Sequence, residues 1–199
     1  MKALKIIVII LIIIIGVALV MAVTQPSEGS LESSIVINAS PEMIYEEAIN
    51  IKKMDVWSPW YNIEPSAFSY EGPEEGVGAT SKWVSENPDL GVGSLTIIEA
   101  VPNESLRTKM VFEGFNGTFN SWLKLTPEGD ATKVEWGYDY SELDMVARFF
   151  MSMMDINEQM TPMFEKGLED LRQIVESKPT PEPEIMEEEI AMDSLAIEE

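Results

Sequence analysis

"SLRTKMVFEGFNGTFNSWLKLTPEGDATKVEWGYDY", residues 105–140, alternates in polarity. Leu106, Thr108, Met110 and Phe112 fall on one face of an extended segment, with Arg107, Lys109 and Val111 on the other. Val134, Trp136 and Tyr138 likewise oppose Lys133, Glu135 and Gly137. A period of two marks strands with one face buried. Turn residues at 114–117 and 127–130 separate the runs, as antiparallel hairpins require.

Upstream, "AFSYEG" (67–72), "GATSKWV" (78–84) and "VGSLTIIEAV" (92–101) continue the pattern. The glycines of "EEGVGAT" and "LGVGSL" do not form a phosphate loop, because neither opens a helix. Further out lies "SSIVINASPEMIYEEAINI", residues 33–51. Ile35 and Ile37 alternate with Val36, bringing the strands to about seven. Ser40 then caps a helix that begins with Pro41. That helix gives out around residues 52–54, and "VWSPWYN" (56–62) follows as an aromatic turn. A Ser-Pro turn favours the surface. One of Trp57 and Trp60 is therefore expected to plug the core and the other to meet a ligand.

Downstream, residues 144–176 return to helical spacing. Phe164, Leu168, Leu171 and Val175 form one stripe. Gly167 costs ~1 kcal/mol against Ala inside a helix, so a close approach is expected there. Pro162 predicts a kink or a break. The preceding "MVARFFMSMMDINEQM" is apolar around much of its circumference and rich in Met, which suits either a variable ligand or ordinary gap-filling.

The N-terminus, "MKALKIIVIILIIIIGVALVMAV", carries Lys2 and Lys5 before an uncharged run at 6–23. Eighteen residues span roughly 27 Å, about one hydrocarbon core. An uncleaved single-pass anchor is expected, with a signal peptide cut after Ala22 as the alternative. The lysines put the N-terminus in the cytoplasm and the rest outside it. Residues 24–32 read as a tether. Residues 177–199 hold eight acids against Lys178, behind a Pro-x-Pro-x-Pro stretch. Their expected state is a disordered tail, available to a protein partner.

Composition excludes several chemistries. The 199 residues contain no Cys and no His, so thiol and imidazole catalysis and the usual zinc ligands are absent. Three Asn-x-Ser/Thr triplets start at Asn38, Asn103 and Asn116. The net charge of −22 repels phosphate backbones, so no nucleic-acid partner is expected.

The order strand, helix, aromatic turn, six strands, long helix comes with particular residues. "INASPEMIYEEAINIKKMDVWSPW", "GVGATSKWVSENPDLGVGSLTIIEAVPNESLRTKMVF", "TPEGDATKVEWGY" and "MFEKGLEDLRQIVE" resemble the polyketide cyclase/dehydrase branch of the SRPBCC (START-like, helix-grip) superfamily. The resemblance covers residues 33–176. It implies an α+β helix-grip fold: a curved antiparallel sheet around a long C-terminal helix, here with one N-terminal transmembrane helix. It also implies an apolar cavity for a lipid or another hydrophobic small molecule. No cofactor is expected. The family has no universal catalytic residue to carry over, and members that catalyse often place His or paired polar groups in the cavity.

The expected function is thus a membrane-anchored binding module. Candidate ligand residues are Trp57, Trp60 and Tyr61 at the mouth, with Trp83, Phe112, Trp122, Trp136, Phe149, Met153 and Phe164 as walls; core packing is the alternative for each. A cyclase- or hydrolase-like enzyme is the weaker expectation. Tyr138, Tyr140, Glu113, Glu135 and Asp139 are the groups on or near strands, and they form no recognisable constellation. No catalytic residue and no metal site are assigned. An interaction module with a filled core is the third reading.

Overall fold

The computed structural model describes residues 2–153 and 156–179. The expected disordered tail therefore lies outside the described residues, apart from its first three. An apolar helix, α1 (Lys2–Thr24), leads into strand β1 (Gly29–Ile37). Two short helices follow, α2 (Pro41–Ile49) and α3 (Ile51–Trp57). Six strands come next: β2 (Phe68–Glu71), β3 (Thr80–Val84), β4 (Val92–Val101), β5 (Ser105–Phe112), β6 (Thr118–Glu128) and β7 (Ala131–Ser141). Helices α4 (Met145–Ser152) and α5 (Ile156–Glu176) end the domain.

The seven strands form one curved sheet in the order β1-β7-β6-β5-β4-β3-β2, every neighbouring pair antiparallel. Strands β2 to β7 run as a meander of local hairpins, and β1 closes onto β7. Helix α5 lies against β1 and β7. It buries Phe164, Gly167, Leu168, Leu171 and Val175, the stripe that its periodicity predicts.

Three local details depart from the sequence reading. Strand β1 starts at Gly29, inside the expected tether, because pairing with β7 holds even its polar residues. The first helix is two helices. Asn50 ends α2 in an extended conformation and starts α3, its side chain accepting from the N–H groups of Lys52 (3.1 Å) and Lys53 (3.2 Å). Helix α5 also runs on through Pro162 without a break.

One end of the grip is sealed. Thr132 donates to the Ala39 carbonyl at 2.7 Å, and the Asn38 amide donates to Glu176 at 2.9 Å. Buried Glu47 sits between Lys178 (2.7 Å) and Lys53 (3.0 Å). Burial alone would raise its carboxyl, but hydrogen bonds from Lys178 and Lys53 outweigh that and hold it below the usual range.

Gly167 has the close approach that its position suggested. A Cβ there would stand 2.5 Å from Cζ3 of Trp136 and 3.0 Å from Cδ of Pro59. Helix propensity favours Ala by ~1 kcal/mol, whereas overpacking costs about 1–3 kcal/mol. Gly167→Ala is therefore expected to lower the unfolding free energy by up to about 2 kcal/mol in urea titrations. A stability gain would mean that Trp136 moves aside freely.

Candidate functional site

The two faces of the sheet differ in chemistry. The convex face is ionic. Arg107 pairs with Asp139 at 3.0 Å, and Asn120 donates to the same carboxylate at 2.9 Å. Glu135 is held by Lys133 (2.8 Å) and Lys124 (3.6 Å), and the hydrogen bond from Lys133 lowers its pKa. Two of the charged candidates are thus consumed in surface pairs, and Glu113 is exposed.

The concave face is aromatic. Register places Phe68, Trp83, Phe112, Phe119, Tyr140, Tyr138 and Trp136 on this side of their strands. Their rings follow one another across the sheet. Tyr61–Phe68 is 5.0 Å, Phe68–Trp83 5.9 Å, Trp83–Phe112 6.1 Å and Phe112–Phe119 5.3 Å. Phe119–Tyr140 is 6.4 Å, Tyr140–Tyr138 6.1 Å, Tyr138–Phe164 5.7 Å and Phe164–Trp60 5.5 Å. Trp60 adjoins Tyr61 in sequence, so the circuit closes. All these spacings lie in the range of favourable aromatic pairs. Trp60, Tyr61, Phe68, Phe112, Phe119 and Tyr140 remain only half-buried, which marks the open end of the groove.

The Trp57–Trp60 pair divides. Trp57 is 1% exposed, donates to the Glu47 carbonyl at 3.3 Å, and meets Trp136 edge-on at 4.9 Å. It is a core plug. Trp60 is half-buried and packs on Trp136 and Phe164, both of which are core residues beneath it.

Two candidates are corrected. Trp122 lies on the convex face, opposite Gly137, because its neighbour Leu123 pairs with Trp136 on the concave side. Met153 follows the end of α4 and is 65% exposed, so it forms no wall. Phe149, on α4, is half-buried.

Tyr138 is buried, yet no described residue offers its hydroxyl a hydrogen-bond partner. Burial, with Tyr140 nearby, pushes it up to about 12, so it stays a neutral donor. Asp55 is the group that sequence reasoning missed. It is 7% exposed on α3 and accepts from Ser81 Oγ at 2.7 Å, with Tyr70 also beside it. Burial pushes its carboxyl up to about 6 against the opposing pull of Ser81 and Tyr70. Tyr70 is raised by burial first, then by the Asp55 charge. The available signal was an acid four residues after Ile51, on the apolar side of a helix. Among the described residues no group of three acids could hold a metal ion.

The family model described as polyketide cyclase / dehydrase and lipid transport matches residues 28–176. No curated protein matches the chain. Norcoclaurine synthase from Thalictrum flavum, solved in complex with dopamine and hydroxybenzaldehyde, is 13% identical with a TM-score of 0.57; the match covers 81% of this chain and 93% of that one. Major latex-like protein 151 from Panax ginseng is 16% identical at 0.54, covering 74% and 97%. A Chromobacterium violaceum protein is 17% identical at 0.53, again covering 74% and 97%. At these identities the likeness is one of fold.

Asp55 gives a pH signature. Its native pKa of about 6 exceeds the unperturbed 3.8, so between these values the native state binds more protons than the unfolded chain. Stability therefore falls as pH rises through that window and levels off above it. In urea titrations of residues 25–179, the wild-type unfolding free energy minus that of Asp55→Asn should drop by about 2–3 kcal/mol from pH 4 to pH 7. A constant difference would mean that Asp55 is ionised throughout.

Proposed function

The chain belongs to the polyketide cyclase / dehydrase and lipid transport family, and on that premise we propose that it is a membrane-anchored binding module. It holds a hydrophobic small molecule or lipid between the concave sheet and α5. Helix α1 is the anchor. Residues 4–24 are long and apolar enough to cross a membrane, and nearly all are exposed. Lys2 and Lys5 put its N-terminus in the cytoplasm and the domain on the other side.

The observation that carries this reading is the aromatic circuit, left half-open at one end. Large aromatics normally bury themselves, and a concave run of half-buried rings offers an apolar ligand the surface it needs. Tyr138 adds a polar point. A buried hydroxyl without a partner costs about 1–3 kcal/mol, and a ligand bearing a carbonyl or hydroxyl would recover it.

A cyclase-like enzyme is a second reading, favoured by one feature. Asp55 is a buried carboxyl that titrates near neutrality beside Ser81 and Tyr70, which suits acid–base work. Turnover of a bound substrate that is lost in Asp55→Asn would support it.

Native mass spectrometry of residues 25–179 tests the binding module. A retained apolar molecule near one per chain is the expected result. Tyr138→Phe should then weaken retention severalfold, as for one lost hydrogen bond of about 1 kcal/mol, and Trp60→Ala should weaken it as well. A bare polypeptide mass, with no uptake from a panel of phospholipids, fatty acids and polyketides, would leave a filled core and overturn the reading.

A further inference from the structure

We propose that the open end of the groove rests on the membrane itself, with α4 lying in the lipid interface, so that a ligand passes between bilayer and groove without crossing water. This rests on the anchored reading above and adds an orientation to it.

The first observation is a clamp. Arg148 of α4 reaches the carbonyls that end α1. Its Nε donates to Gln25 at 2.8 Å, and its guanidinium also donates to Val23 at 2.6 Å and again to Gln25. The Leu143 amide donates to the Ser27 carbonyl at 3.2 Å. The helices touch, and Ala22 on α1 and Ala147 on α4 are both buried. Helix α4 therefore sits where the apolar span ends. The span and β1 are joined only by residues 25–28, about 14 Å at full extension.

The second observation is the face that α4 leaves open. Met145 (49%), Val146 (60%), Phe150 (48%) and Met153 (65%) are exposed. Their spacing sets them on one side of the helix, and none is charged. Phe115, 44% exposed, belongs to the same end, since its neighbour Asn116 donates to Asp144 at 2.8 Å. A contiguous apolar patch of this kind marks a contact surface.

The third observation is register. Strand β1 begins at Gly29 opposite Tyr140, β5 stops at Phe112, and β6 starts at Thr118. Phe112, Tyr140 and Phe119, which follows Thr118, are half-buried aromatics of the open end. Mouth, exposed face and membrane span thus share one end of the molecule, and the opposite end is sealed by α2 and Lys178. A bilayer is the partner that fits, because the α4 face lies beside α1, whose apolar residues are exposed nearly all along the span. Exposed Glu28, Glu113 and Glu142 border it, so uncharged or zwitterionic headgroups suit it better than anionic ones.

The absence of cysteine makes the test direct. The full chain would be placed in dioleoylphosphatidylcholine nanodiscs with one nitroxide at a time, on Ile13→Cys, Val146→Cys, Phe150→Cys or Asn103→Cys. Collisions with oxygen report lipid, and collisions with a nickel chelate report water. The oxygen-to-nickel ratio at positions 146 and 150 should exceed that at 103 severalfold, with position 13 higher still. Ratios at 146 and 150 equal to that at 103, with position 13 in lipid, would overturn the orientation and leave the anchor standing. Water-like values at position 13 as well would overturn both. Labels at 146 and 150 shielded from both reagents would put a protein surface, such as a second copy, on α4 and also overturn the proposal.

Discussion

The indole of Trp136 fills the space that a side chain at position 167 would take. Only glycine lets α5 come this close to the sheet. The same indole meets Phe164 at 4.4 Å, Trp57 at 4.9 Å and Trp60 at 6.0 Å, and its Nε1 donates to Ser121 at 3.1 Å. Ser121 in turn donates to the Gly137 carbonyl at 2.9 Å. One side chain therefore ties β6, β7, α3, α5 and the aromatic turn together. The remaining order of the domain follows from it. Helix α5 is held over β1 and β7, one edge of the sheet, and the concave faces of β3 to β6 are left to the aromatic circuit.

That division explains why a single sheet is both a stable surface and a groove. Strand alternation sends every second residue to the convex side, where Arg107, Lys124 and Lys133 neutralise Asp139 and Glu135. The concave side keeps rings that exchange contacts with one another as well as with α5. Burial deepens toward the sealed end, at Ile37, Leu125 and Thr132, and lessens toward Phe112, Phe119 and Tyr140. The concave face thus has one closed end and one less buried end. The polar groups inside it are few, and each is placed by its strand: Tyr138 by β7, Ser81 by β3 and Tyr70 by β2.

Strand number, the α5 stripe, the need for glycine at 167 and the apolar span were all legible in the sequence. Each is a local property, recorded in residues two, three or four apart. The absence of thiol and imidazole chemistry was legible too, since it needs no coordinates. Even the place of Trp122 could have been read, because Asn120 and Lys124 share its parity. Asp55 with Ser81, the α4–α1 clamp and the closing of the circuit through Trp60 were decided only by the tertiary structure. These pairs lie far apart in the chain, and nothing local records which strand or helix end will arrive opposite. The sequence alone determined what each segment could bury. The register of the sheet and the close packing of α5 determined which groups share the groove, because burial and hydrogen bonding act between whichever surfaces the chain brings together.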